Sequence, residues 1–484
     1  MESNIELLHA FDFSDHPEAS FGSPRETPWR EELPYSKGLR TAVEHLQEID
    51  DGLPHSDWRY GVYRFQIDLI QRGYLQSFHL ETGKVITTRL SFPAGGDVVL
   101  NPIFYRFDDP ELHYFVVGFH PPRLVGVYFP DRKQVVSLMN QNHPILRKGW
   151  DPERLALSCV MLEELLQVDE EAVDQYCSTS DSHRLVLTQA FHPNAGHQLR
   201  EEFPLLWKLY TKTDCDAALL TGPFDTLDLS GQLPDTIPRE TVAFDESEAP
   251  WPVNYFNAVL RGGLFLGRMG CISHMPLEMQ QALQSGFQAE HLETYHELKK
   301  KLENHWPVVW LTLREHNRKW VGEGAHLRQL VDAVAAKYPK AAFILDGLPD
   351  VRGSADEIMA SNARVIDFTG SEFTEAQACF RLADAYVMPY SNSCTLHMVD
   401  PRPGVVHGLK GWIPDEPFEP AVTEKPVMAR VVHGVKRETG NESYDAWVTT
   451  CDYELDPEPV ISSLLEVLTE LPDSHETRES YSNH

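Results

Sequence analysis

The sequence predicts an α/β protein: two Rossmann-like domains facing each other across a cleft, preceded by a small β-rich module. Three observations lead there. Between 307 and 408 short apolar runs alternate with amphipathic helical stretches, a shorter strand–turn–helix–strand series runs from 184 to 225, and a charged amphipathic stretch, 276–304, joins the two. Parallel strands need crossover connections, so strands alternating with helices imply parallel, doubly wound sheets.

The chain divides into five stretches. Residues 1–57 read as a polar, acidic arm with one helix around 38–50. Residues 58–150 form a β-rich accessory module, expected to be antiparallel. Its β-prone runs 60–70, 84–90, 97–107, 113–120 and 123–129 are separated by Thr82-Gly83, Gly95-Gly96, Asp108-Asp109-Pro110 and Pro121-Pro122. Its polar residues form no triad or metal-ligand pattern. Residues 151–275 form the first Rossmann-like domain, with a leading helix over 152–176 and a Ser/Thr linker at 178–182. Strand 184–191 then turns through Pro193-Asn194-Ala195-Gly196 into a helix whose apolar face is Leu199, Phe203, Leu206 and Leu209. Strand 216–225, a Pro- and Asp-rich loop, and a short helix with strand 264–267 complete it. Residues 276–410 form the second domain: helix 276–304, strand 307–313, helix 324–338, strand 341–347, helix 354–361, strand 363–368, helix 373–383, strand 384–389, helix 390–399 and strand 403–408. Residues 411–484, a C-terminal extension, lose this rhythm except for a helix over 459–470.

Composition limits the function classes. No apolar run approaches the roughly 20 residues of a membrane span, so no spanning segment is expected, with peripheral membrane association left open. The opening MESNIELLHAFDFSDHPE lacks a basic segment followed by an apolar core, and the seven cysteines are odd in number without a CxxC pair. Both point to a cytoplasmic protein with reduced thiols. Asp and Glu outnumber Lys and Arg by 73 to 42, a net charge of -31. That field argues against nucleic acid as a partner, and it means that an anionic substrate must be captured by a local basic pocket.

The stretch 307-PVVWLTLREHNRKW-320 supplies such a pocket. Val308, Val309, Trp310, Leu311 and Leu313 read as a buried strand, and Arg314, His316, Asn317, Arg318 and Lys319 follow at its carboxyl end, where open α/β sheets bind ligands. Two arginines four apart can each give forked hydrogen bonds to phosphoryl oxygens. The plainer reading is a surface turn of solvated charges.

This layout resembles the GT-B glycosyltransferases, and three local sequences carry the likeness over roughly 180–410. First, 314-REHNRKWVGEG-324 resembles the Arg…Arg…Asn/Asp-Glu pattern that opens the donor domain in a broad group of these enzymes, including the xylosyltransferase-like family and its bacterial relatives. Arg314, Arg318 and Glu323 occupy the matching places, with Gly322 where an amide is expected. Second, 366-IDFTGSEFTEAQACFRLADAYVMPYSNSCTLHM-398 resembles the donor segment of those enzymes and of the heptosyltransferases. The likeness makes Asp367, Ser391, Asn392, Ser393 and Thr395 candidate donor contacts, although Tyr390–Thr395 lacks the glycines usual in that loop. Third, 192-HPNAGHQLREEFPLL-206 is similar to the Asn…Gly-His…Glu-x-Pro turn that starts the acceptor domain.

The resemblance implies transfer of a sugar from a nucleotide-activated donor to a glycan, lipid-linked or protein acceptor, as in polysaccharide biosynthesis. It implies no bound metal, and no cofactor beyond the nucleotide sugar as substrate. Transfer needs a base for the acceptor hydroxyl. His197, at a helix N-terminus whose dipole disfavours imidazolium, fits that role, and it fits equally a capping role. Glu201 and Glu202 stand ready to orient or replace it. The segment 225-DTLD-228 only loosely imitates a metal-binding Asp-x-Asp and reads as loop acidity, and neither a Walker loop nor a dinucleotide fingerprint is present. Two other functions stay open: a non-catalytic carbohydrate- or protein-binding scaffold, favoured by the missing glycines, and another nucleotide-sugar enzyme such as an epimerase. The arginine pair favours transfer.

Overall fold

A computed structural model describes residues 4–14, 21–23, 25–50, 52–54, 56–94, 100–118, 122–140, 152–241, 250–271, 275–315, 318–391, 394–410, 413, 429–437 and 451–471. The chain separates into two units, residues 1–273 and 274–484.

Unit 1 begins with strand β1 (Glu6–His9) and helices α1 (Ser36–Leu46) and α2 (Arg64–Arg72). Strands β2 (Leu75–Phe78), β3 (Val85–Thr88), β4 (Ser91–Pro93), β5 (Ile103–Phe107), β6 (His113–Gly118), β7 (Arg123–Phe129) and β8 (Gln134–Ser137) follow. Helices α3 (Pro152–Val168) and α4 (Glu170–Ser178) lead to β9 (Arg184–Gln189), α5 (Ala195–His197), α6 (Phe203–Lys212), β10 (Ala218–Thr221), β11 (Arg239–Thr241), α7 (Trp251–Gly262) and β12 (Leu264–Arg268). A six-stranded sheet runs β1-β8-β7-β6-β5-β4, antiparallel except for the parallel β1/β8 pair. A four-stranded parallel sheet runs β11-β10-β9-β12.

The β-rich stretch closes the open edge of this parallel sheet. The outward backbone groups of β12 recur every second residue, and side chains from the β-rich stretch and α4 meet them. Tyr176 OH donates to Leu264 O (2.7 Å), Ser91 Oγ accepts from Leu266 N (2.8 Å), and Tyr105 OH donates to Leu266 O (2.9 Å). Gln66 Nε2 reaches Arg268 O (3.3 Å) and Gly270 O (2.9 Å). A buried backbone group left unsatisfied costs about 1–3 kcal/mol, so these bonds, four from residues 66–105 and one from Tyr176, hold the β-rich stretch and α4 strongly to the sheet edge.

Three expectations for this unit are corrected. Residues 60–70 are not a strand: residues 64–72 form α2, because Asp68 accepts from Arg64 (3.1 Å) and lies 3.5 Å from Arg72, one turn away on either side. Gly73 ends the helix at φ 68. The N-terminal stretch is no loose arm, since β1 joins the six-stranded sheet and Phe11, Trp29, Leu39 and Val43 are buried. The helix expected over 152–176 breaks at Asp169, whose carboxylate caps α4 by accepting from Ala172 N (3.1 Å).

Unit 2 comprises α8 (Leu277–Glu290), α9 (Leu292–Leu302), β13 (Val308–Thr312), α10 (Glu323–Lys337), β14 (Ala342–Asp346), α11 (Arg352–Met359), β15 (Arg364–Asp367), α12 (Phe373–Phe380), β16 (Ala385–Pro389), α13 (Cys394–Val399), β17 (Gly404–Leu409), β18 (Ala429–Lys436), β19 (Tyr453–Glu454) and α14 (Pro457–Glu470). The helix expected over 276–304 is two helices that meet at His291. The seven-stranded sheet runs β15-β14-β13-β16-β17-β18-β19, parallel except for β19. All five residues of β13 are buried, as a central parallel strand requires. The residues after 410 continue this fold: β18 extends the sheet, and α14 buries the stripe Val460, Ile461, Leu464, Val467 and Leu468 in one core with Leu330, Val331 and Val334 of α10. Strands 184–189 and 308–312 belong to separate sheets.

Candidate functional site

Each parallel sheet reverses its strand order next to its first strand. In unit 2 the chain steps outward from β13 to β14 and β15, then returns to place β16 on the other side of β13. In unit 1 it steps from β9 to β10 and β11, then places β12 on the other side of β9. The crevice outside the carboxyl ends of two such strands is where open α/β sheets hold ligands. The segment Arg314–Lys319 leaves β13 at one of these points, and Ala190–His197 leaves β9 at the other.

In unit 2, Arg314 and Arg318 are half-buried, and Arg318 adopts a left-handed φ of 63, a strained conformation for a residue other than glycine. Burial lowers the pKa of both guanidiniums. That of Arg318 falls to about 10, with the charge of Arg314 adding to the effect. An anion placed against them would relieve both penalties. Cys394 and Tyr453 are near both arginines, and Tyr390 is near Arg318, which puts the pair beside the exit of β16.

The turn that carries Arg318 is held by residues far along the chain. Asp452 Oδ1 accepts from Lys319 N (3.0 Å), Tyr453 N donates to Lys319 O (3.0 Å), and Val321 N donates to Tyr453 O (2.9 Å). Trp320 Nε1 donates to Leu455 O (2.9 Å), and Tyr453 OH lies 2.6 Å from Nδ1 of the buried His407. Sequence reasoning missed Asp452, Tyr453 and His407. The available signal was 451-CDYELDP-457, a β-prone run ending in an Asp-Pro helix start.

The other expected donor residues fall in different places. Glu323, the first residue of α10, is 1% exposed, and its Oε2 accepts from Arg314 N (2.9 Å). Burial pushes its carboxyl up to about 8. Asp367 is exposed at the end of the edge strand β15, two strands from β13, and closes its own turn by accepting from Thr369 N (3.0 Å) and Thr369 Oγ1 (2.7 Å). Ser391 is half-buried, and its carbonyl accepts from Cys394 N (3.0 Å), while Thr395 is buried within α13. Asn392 and Ser393, like His316 and Asn317, lie outside the described residues. The turn therefore brings Arg314, Arg318 and Glu323 together and leaves Asp367 apart.

In unit 1, Asn194 starts α5 by accepting from His197 N (3.3 Å). A π-helical turn, Gln198–Glu202, then joins α5 to α6, because Pro204 has no N–H to give to the Arg200 carbonyl one turn back. Such turns often mark functional sites. His197 Nδ1 lies 2.9 Å from Glu201 Oε1, and Arg200 Nη2 donates to the same oxygen (2.6 Å). Glu201 is 1% exposed. Arg200 Nη2 also lies 3.2 Å from Nδ1, and with the buried carboxylate accepting the Nδ1 proton, Nε2 is the basic nitrogen of the ring. The backbone at Glu201 is held too, since its carbonyl accepts from Cys271 N (2.8 Å) just after β12. Gly270 permits this approach: a Cβ there would stand 2.7 Å from that carbonyl oxygen.

Glu202 turns the opposite way. Its Oε2 accepts from Ala190 N (3.1 Å), holding Ala190 at φ 57 where β9 ends. Burial pushes its carboxyl up to about 8, although the Ala190 N–H and the buried Arg268 pull it down. Of the two glutamates expected to support His197, Glu201 orients the ring and Glu202 shapes the loop.

No family model and no curated protein matches this sequence. Among solved structures it is similar to the glycosyl transferase family 9 protein from Veillonella parvula DSM 2008, with 12% identity, a TM-score of 0.29, and coverage of 63% of this chain and 79% of that one. It is also similar to E. coli ADP-heptose LPS heptosyltransferase II, at 12% identity and TM-score 0.37 over 59% of this chain and 99% of the other. A third is UDP-GlcNAc 2-epimerase from Neisseria meningitidis, at 14% identity and TM-score 0.25 over 60% and 75% of the two chains. Likeness at this level transfers no residue role to this chain.

Proposed function

We propose that the protein is a glycosyltransferase that takes a sugar from a nucleotide-activated donor and passes it to a glycan, lipid-linked or protein acceptor. The observation that carries this reading is the pair of half-buried arginines, Arg314 and Arg318, at the point where the strand order of the unit 2 sheet reverses. Two guanidiniums suit the diphosphate of a nucleotide sugar, since each can fork to phosphoryl oxygens and keep its charge at any physiological pH. Transfer also needs a base for the acceptor hydroxyl that attacks the anomeric carbon, and His197 of unit 1 is the candidate for that role. The bond from that carbon to the diphosphate breaks, and the leaving charge falls on the two arginines, with no metal required. Glu201 keeps the imidazole in the receptive tautomer.

A scaffold that binds sugars without transferring them is the second reading. The Cys394 N–H, engaged by the Ser391 carbonyl, favours it, because it occupies a backbone donor of the segment after β16. A thermal-shift screen with nucleoside diphosphates separates the two. A nucleotide at about 100 times its Kd adds roughly 2.7 kcal/mol to the native state, a readily measured rise. No shift with any base at millimolar concentration would favour the scaffold.

A further inference from the structure

A cavity of about 780 Å³ opens in unit 1 where β3, the exit of β5 and the end of α4 meet. That volume lies within the roughly 300–1,000 Å³ range of small-molecule sites. The cavity adjoins the amino end of β9, through Asp181. The candidate base follows the carboxyl end of that strand, whose six residues span roughly 20 Å at about 3.3 Å each. It is therefore separate from the His197–Glu201 site.

Its lining selects a chemistry. Arg89 and Arg106 stand with Asp108, Asp109 and Asp181 around it. Arg106 is forked onto Asp108 (Nε–Oδ1 2.9 Å, Nη2–Oδ2 3.4 Å), and Asp109 lies 2.6 Å from His79 Nε2. Arg89 gives one N–H to the Asp181 carbonyl (2.8 Å) and makes no ion pair among the described residues. A free anion entering here meets three carboxylates, and a cation meets two guanidiniums. A neutral molecule dense in hydroxyls meets neither penalty. Each hydroxyl both donates and accepts, so it uses the spare N–H groups of the arginines and the spare lone pairs of the aspartates together. Thr87 and Tyr74 add hydroxyls that match such a ligand, and Ile86 and Phe107 add apolar surface for the C–H faces of sugar rings.

We propose that this cavity is a second carbohydrate site that holds a neutral stretch of glycan away from the point of transfer. The proposal deepens the transferase reading by giving the acceptor class, a glycan long enough to reach a remote subsite.

The test is titration of the full chain, followed by NMR or calorimetry, with maltotriose, cellotriose and chitotriose as neutral probes and pyrophosphate as an anionic one. Each is taken to about 10 mM, above the roughly millimolar Kd of a weak small-ligand site. Thr87→Trp places an indole at the cavity from an exposed position on β3, and Arg89→Ala removes the guanidinium that has no carboxylate partner among the described residues. At least one trisaccharide is expected to bind the parent chain and to bind both variants at least tenfold more weakly, with nucleoside diphosphate binding unchanged. No trisaccharide binding, trisaccharide binding to both variants as tight as to the parent, or displacement of the trisaccharide by pyrophosphate would each overturn the proposal. Nucleoside diphosphate binding on the same samples reports the transferase reading separately, so either can fail alone.

Discussion

The carboxyl group of Glu323 accepts a hydrogen bond from the backbone N–H of Arg314 at 2.9 Å, and both lie where β13 ends. The bond sets the path of the chain as it leaves the strand, so Glu323 acts on the candidate ligand through Arg314. Glu323→Gln keeps an acceptor in place and is expected to keep nucleoside diphosphate affinity, whereas Glu323→Ala leaves a buried N–H unsatisfied and should lower it. Equal affinity in the Gln and Ala variants, measured by calorimetry, would contradict this role.

The clamp from the C-terminal segment makes a parallel prediction. Asp452→Ala removes the acceptor for Lys319 N and frees the turn that carries Arg318, so nucleoside diphosphate affinity should fall severalfold. A hydrogen bond from a backbone N–H to a carboxylate contributes about 1.5–3 kcal/mol. Asp452→Asn retains an acceptor oxygen and should recover most of the loss. Failure of Asn to recover it would mean that Asp452 matters for its charge.

His197→Ala is expected to leave nucleotide affinity unchanged and to cut turnover by roughly 10²–10⁴, the scale of general-base catalysis. Glu201→Gln keeps an acceptor for the Nδ1 proton and should cost less than the His197 change. A His197→Ala variant with normal turnover would assign His197 to the structure of the loop alone.

Glu202 and Glu323 each have a carboxyl pushed up to about 8 by burial. The folded chain therefore holds protons that the unfolded chain, with carboxyls near 4.3, releases. Their stabilising contribution is fully present below about pH 4.3 and is lost as pH rises towards 8, since stability falls with pH wherever the native state binds more protons. Glu202→Gln and Glu323→Gln should each remove part of that slope. The variants are expected to gain on the parent between pH 5 and 8 by an amount on the order of a few kcal/mol. Parallel denaturation curves for parent and variants across that window would show that neither carboxyl is protonated in the fold.

The alternation of strands and helices was legible because parallel strands must be buried runs such as Val308–Leu311, and the crossovers must be amphipathic. Arg314 and Arg318 were legible because a basic cluster after such a run stands out in an acidic chain. Other features depend on pairings that the hydrophobic pattern does not carry. Residues 64–72 alternate like a strand, and i,i+4 pairing through Asp68 decides for the helix. The π-helical turn that separates the tasks of Glu201 and Glu202 follows from Pro204, whose effect one turn back is easily overlooked. Asp367 had the right residue type at the carboxyl end of a strand, but β15 is the edge of the sheet. Asp452 and Tyr453 reach Lys319 across more than 130 residues of chain, so nothing near the arginines announces them.

The most direct test of the central claim is calorimetric titration of the parent chain, Arg314→Ala and Arg318→Ala with UDP, GDP, ADP and CDP. At least one nucleotide is expected to bind the parent, and each variant should lose about 1.5–3 kcal/mol, roughly 10- to 150-fold in Kd, for one charge-assisted phosphate contact. The thermal midpoints should stay close to that of the parent, because a half-buried arginine at a strand exit contributes little to folding. Binding that is equally tight in all three proteins, or absent from the parent at millimolar concentration, would contradict an anion site at Arg314 and Arg318.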